Sequence, residues 1–118
     1  MTTHTILGST VYGVPSGNYD GSSQDWSSDP VTAANYYRGR GGVQTVTFSV
    51  SAFAGIMYLE ACLDANPAEA NWFTTYVYGD GSPFTDYHPE SITGNFTWMR
   101  VRVSGFDGGT INSVTITY

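Results

Sequence analysis

The sequence predicts an all-β fold, an antiparallel β-sandwich with a jelly-roll-like arrangement of about seven or eight strands. Three observations point there. Apolar residues recur with a period of two in several separate stretches. Turn-forming clusters rich in Gly, Ser, Asn and Asp separate those stretches. No stretch carries the 3.6-residue periodicity of an amphipathic helix.

The elements follow in chain order. Strands are expected near residues 4–8 and 10–14, ahead of a long loop over 15–30 that is crowded with turn formers and pinned by Tyr19 and Trp26. A short turn is expected over 31–37. Val46, Phe48 and Val50 alternate with Thr45, Thr47 and Ser49, which predicts a strand over 43–51 with one apolar face. Met57, Leu59, Ala61 and Leu63 do the same over 55–64. Asn66-Pro67 reads as an N-cap followed by the first residue of a single helical turn. A strand over 71–79, a loop over 79–90, and strands over 93–104 and 110–118 complete the chain. The expected core is Phe48, Val50, Phe53, Met57, Leu59, Leu63, Phe73, Val77, Phe96, Met99, Val101, Val103, Phe106, Val114 and Ile116.

One internal echo stands out. Val50-Ser51-Ala52-Phe53-Ala54-Gly55 and Val103-Ser104-Gly105-Phe106-Asp107-Gly108 share the pattern Val-Ser-x-Phe-x-Gly. Each follows one alternating stretch and precedes another. The expectation is two similar hairpin connections in opposing sheets, each tucking a Phe over the end of the core.

Length and composition bound the function. At 118 residues the chain is one domain, residues 1–118, large enough to stand without metal or disulfide staples. Aromatics make up 15% and charged residues only 12%, the reverse of a disordered chain. A net charge of −6 excludes a module that binds nucleic acid through its phosphates. The only cations are Arg38, Arg40, Arg100 and Arg102. No apolar run approaches the roughly 20 residues that span a bilayer, and the first residues do not form a signal peptide, so no membrane association is expected. Cys62 is the only cysteine, so no internal disulfide forms.

Catalytic constellations are not apparent. Glu60 sits mid-strand beside Tyr58 and reads as a residue paired with an Arg across a sheet. His4 and His88 lie in a terminal segment and a loop, and no G-x-S-x-G elbow is present. The acids of the two loops (Asp20, Asp25 and Asp29, then Asp80 and Asp86) do not follow the EF-hand spacing and read as turn residues bonding their own backbone. No catalytic residue, metal or cofactor is expected.

Aromatic residues carry the binding signal. Tyr36 and Tyr37 precede Arg38 and Arg40; Trp72, Tyr76 and Tyr78 share one stretch; Trp98 heads the strand that carries Arg100 and Arg102 on one face. Tyr, Trp and Arg are the residues of protein interfaces. Trp72, Tyr76 and Tyr78 also suit a sugar-stacking platform, which requires the three rings exposed and roughly coplanar.

The chain from Gly42-Val43-Gln44-Thr45-Val46-Thr47-Phe48, through Phe53-Ala54-Gly55, Leu59-Glu60-Ala61-Cys62-Leu63, Pro67 and Asn71-Trp72-Phe73, resembles short, β-rich virion or structural proteins of marine tailed phages, cyanophages among them. The stretch from Thr93 to Val103, with Phe106 and Gly109-Thr110-Ile111-Asn112, extends the resemblance over residues 42–118. It implies assembly or attachment rather than turnover, and a place in the virion or, during assembly, in the host cytoplasm. The functional expectation is therefore a non-enzymatic phage structural or accessory protein acting through self-assembly or contacts with other virion proteins. The alternative is a carbohydrate-binding, lectin-like module for host-surface polysaccharide.

Overall fold

The computed structural model describes residues 3–34 and 42–118, and the described chain is all-β and antiparallel. Two strands of 20 residues each dominate it: β5 (Val43–Cys62) and β8 (Trp98–Thr117). They pair along their whole length, from Thr45 opposite Thr117 to Cys62 opposite Trp98. The free side of β8 takes four short strands in turn: β1 (Thr3–Leu7), β2 (Thr10–Val11), β3 (Trp26–Ser27) and β4 (Val31–Thr32). The free side of β5 takes β7 (Phe84–Thr93) along its first half and β6 (Phe73–Tyr78) along its second.

The sandwich arises because this single sheet folds over. Both long strands bend at the same level, β5 near Ala52 and β8 between Gly105 and Gly109. One layer holds β7, residues 43–51, residues 110–117, β1 and β2. The other holds β6, residues 55–62, residues 98–104, β3 and β4. Val46, Phe48, Val50, Val114 and Ile116 of the first layer face Met57, Leu59, Ala61, Met99, Val101 and Val103 of the second, all buried. The stack of Phe48 on Tyr78, 4.3 Å between ring centroids, marks where the layers meet.

The sequence echo is the corner. The third residue of each copy takes a left-handed backbone, Ala52 at φ 51° and Gly105 at φ 63°. The Phe that follows turns into the core: Phe53 and Phe106 are fully buried with their rings 5.7 Å apart. The two segments are bends within continuous strands, not the hairpin connections that the pattern suggested. A bend of this kind shifts the pairing register and lets a strand pass from one layer to the next. The corner also requires close approach. A Cβ on Gly109 (φ 82°) would collide with the Ala52 carbonyl oxygen and the Phe53 nitrogen, and one on Gly55 would lie 3.3 Å from the Gly105 carbonyl oxygen.

Two elements differ from expectation, and a third matches it. Residues 84–93, of which 84–90 were expected in a loop, form β7. Its inward row is Phe84, Asp86, His88, Glu90 and Ile92, so polar residues blur the alternation. Pro89 in its middle argues against a strand, but β7 lies at a sheet edge, where proline is tolerated. The loop over 15–30 contains β3 and is pinned as expected. Tyr19 and Trp26 are buried, 5.3 Å apart, and the Tyr19 hydroxyl accepts the Gly13 N–H at 2.9 Å. Pro67–Glu69 forms one 3₁₀ turn with Asn66 as its N-cap, its side chain accepting from the Ala68 N–H at 3.0 Å. Among the described residues no helix is long and apolar enough to cross a membrane.

The core matches expectation except near β6. Leu63, Phe73 and Val77 are exposed, at 64%, 40% and 50%, and Phe96 is half-buried. Leu63 lies beyond the end of β5. On β6 the pairing shifts between Leu59 and Glu60, so Thr75 is an extra residue and the inward positions become Tyr76 and Tyr78.

The corner generates a prediction. Replacing Ala52 with Gly removes a left-handed alanine that costs about 1 kcal/mol, partly offset by the freedom glycine gives the unfolded chain. The urea midpoint of Ala52→Gly should rise, by about 0.5 kcal/mol in stability. Gly109→Ala should lose more than about 2 kcal/mol or fail to fold.

Candidate functional site

The outward face of the second layer concentrates the chain's interface chemistry. Tyr58 and Glu60 on β5, and Trp98, Arg100 and Arg102 on β8, share that face because alternate residues point the same way. Register places Glu60 directly opposite Arg100 and Tyr58 opposite Arg102. The Arg100 Nε–H donates to Glu60 Oε1 at 2.8 Å, and the Arg102 Nε–H donates to Glu60 Oε2 at 3.2 Å. Each guanidinium then lies on a ring: Arg100 over Trp72 at 4.4 Å, Arg102 over Tyr58 at 4.1 Å. The result is a row, Trp72–Arg100–Glu60–Arg102–Tyr58, in which one nearly buried carboxylate holds two cations against two aromatic faces. The Arg partner expected for Glu60 is present twice. A carboxylate with this little access to water is tolerable only because both of its oxygens are bonded to cations.

The other expected residues divide. Trp98 belongs to this face and donates its indole N–H to the Ala65 carbonyl at 3.1 Å. Tyr76 and Tyr78 do not, since the shifted register of β6 turns both inward. Trp72, Tyr76 and Tyr78 therefore form no common platform: Trp72 lies outside under Arg100, and Tyr78 is buried against Phe48. Tyr36 and Tyr37, like Arg38 and Arg40, lie outside the described residues.

Tyr76 and Tyr78 instead help close the seam between the layers, in a cluster that the sequence reading missed. The Tyr78 hydroxyl donates to Asp86 Oδ2 at 3.1 Å. The Tyr76 hydroxyl lies 3.3 Å from His88 Nε2, which is 2.9 Å from Glu90 Oε1. The His88 ring stacks near both tyrosines, at 6.1 and 5.9 Å. Asp86, His88 and Glu90 alternate in sequence, and that spacing was the available signal; it was hidden by their assignment to a loop. Burial, and the Asp86 carboxylate that takes its hydrogen bond, push the Tyr78 hydroxyl well above its usual pKa. Burial and the charges of Glu90 and Asp86 raise Tyr76 too.

Of the loop acids, Asp20 and Asp80 bond their own backbone as turn residues do, whereas Asp25, Asp29 and Asp86 accept from other segments. Asp20 accepts from the Ser23 hydroxyl at 2.7 Å and from the Ser22 and Ser23 amides, which hold its carboxyl down at about 2. Asp80 accepts from the Ser82 amide, and Asp25 accepts from the Ser104 hydroxyl and the Gly105 amide at the corner. Asp29 accepts from the Asn18 side chain. Among the described residues no group of three or more His, Cys, Asp or Glu side chains is placed to hold a metal.

No family model matches the chain, and no curated protein or solved structure matches it significantly. The geometry of its two clusters is therefore what bears on function.

The seam sets the response to alkali. A tyrosine whose pKa is raised by folding keeps its proton where the unfolded chain releases it, so its contribution is complete below about pH 10 and is lost as pH rises further. At pH 8, Tyr78→Phe should cost about 1 kcal/mol, the worth of its bond to Asp86. Between pH 10 and 11 the native protein should lose stability faster than Tyr78→Phe, so that urea midpoints of the two converge.

Proposed function

We propose that this chain is a non-enzymatic assembly module, built to associate with copies of itself through the outer side of β6 and serving as a structural or accessory component of a virion. The observation that carries this reading is the surface of β6. Among the described residues β6 pairs only with β5, so its outer edge is open. It exposes Phe73 and Val77, with Leu63 beside them. An apolar open edge is an aggregation hazard in a free monomer and an asset in an assembly.

The adjoining face supports the same reading. Aromatic rings and arginines, with little mobile charge, are the composition of interface centres. The groups that could act as acids or bases there are held in ion pairs. The resemblance of residues 42–118 to short virion proteins points in the same direction and supplies the proposed location, the virion or the host cytoplasm during assembly. The sugar-platform reading has no comparable support, because two of its three rings turn inward.

Light scattering coupled to size exclusion tests the proposal. The wild-type chain should elute as a defined oligomer. Val77→Asp, on an exposed position away from the core, should leave the urea midpoint within about 0.5 kcal/mol of wild type while shifting the mass to that of a monomer. A wild-type monomer at all concentrations, or an oligomer indifferent to Val77→Asp, contradicts it.

A further inference from the structure

Arg100 and Arg102 spend only part of their hydrogen-bonding capacity. Each gives its Nε–H to Glu60, and each rests one face on a ring. Among the described residues no hydrogen bond engages their Nη groups, and the two side chains remain 27% and 41% exposed. A guanidinium carries five donors in a planar fork. The outward part of each fork is therefore available, already oriented and already stripped of some rotational freedom, which lowers the entropic cost of binding. Two cations held by one carboxylate leave a local excess of positive charge in a chain whose net charge is −6.

The spacing narrows the ligand. Arg100 and Arg102 stand two residues apart on one strand, about 7 Å between Cα atoms. An extended peptide with acids two residues apart repeats that interval. This chain cannot supply such a pair, because no two of its ten acids are spaced two apart. We propose that the Arg100–Arg102 pair is a docking site for an extended acidic segment of a different protein, which presents carboxylates at alternate positions and places one on each guanidinium. Trp72 and Tyr58 hold the forks, and Glu60 sets their separation. The inference rests on reading the chain as an assembly module and names a second kind of partner for it.

The test uses two blocked hexapeptides of the same composition, one with glutamates two residues apart and one with them adjacent. The Nε–Hε resonances of Arg100 and Arg102 are followed by NMR during titration. The spaced peptide should shift both resonances saturably at millimolar concentration, several-fold more tightly than the adjacent one. Arg102→Gln, whose fold is checked by its urea midpoint, should weaken that binding about tenfold. Arg102→Lys keeps the charge without the fork and should recover only part of it. No saturable shift, or equal response to the two peptides, overturns the proposal. Tighter, Arg102-dependent binding of oligogalacturonate overturns it in favour of an acidic glycan. If the peptides fail while the oligomer still dissolves with Val77→Asp, the assembly reading stands and this site does not.

Discussion

The paired corner is the constraint on which the rest of the molecule depends. Two strands of 20 residues can pair along their full length and still enclose a core only if both turn at one level. Ala52 and Gly105 provide that turn with left-handed backbones, and Phe53 and Phe106 fill the space it opens. Each long strand then contributes one buried row to each layer. The close approach of Gly109 to the Ala52 carbonyl shows how tightly the two bends interlock. Even the loop over 15–30 is fastened here: Asp25 accepts from Gly105, the Phe106 amide donates to the Gln24 carbonyl, and Tyr19 and Trp26 pack on the Phe106 ring.

Folding one sheet over creates two kinds of surface. Between the layers the inward side chains of β6 and β7 meet: the hydroxyl of buried Tyr78 is satisfied by Asp86, and Tyr76, His88 and Glu90 form a chain of polar contacts beside it. On the outside, the same pairing of β5 with β8 lines up Glu60 between two arginines. The charged centre of the outer row is held from both sides: the carboxylate has two cations, and each cation has a carboxylate and a ring. Rigid aromatic and guanidinium groups on an outer face suit recognition, since little order must be created on binding.

Much of this was legible in the sequence. Val46-Phe48-Val50, Met57-Leu59-Ala61 and Met99-Val101-Val103 declared their buried faces by alternation alone. The repeated Val-Ser-x-Phe-x-Gly marked the corner, although its form was misjudged: a hairpin and a bend within a strand both call for a left-handed residue next to a buried ring. β7 was missed because its inward row is half polar and contains the partners of the Tyr76 and Tyr78 hydroxyls, which local patterning cannot reveal. Tyr76 and Tyr78 were assigned to the wrong face because one extra residue, Thr75, reverses β6. Arg100, Arg102, Trp72 and Trp98 were identified from residue type, and Glu60 from its odd position in a strand. Their union into one row depended on register between strands far apart in the chain, which a single sequence does not encode locally.

Native-state amide exchange tests most directly whether the corner joins the layers into one cooperative unit. The Phe106 amide and the amides of Val46, Phe48, Val101 and Val114 should exchange only through global unfolding, with a common opening free energy equal to that from urea denaturation. If the first layer's amides instead opened well below the global value while the second layer stayed protected, the corner would be a hinge between two separable halves, and the single-unit description would be wrong.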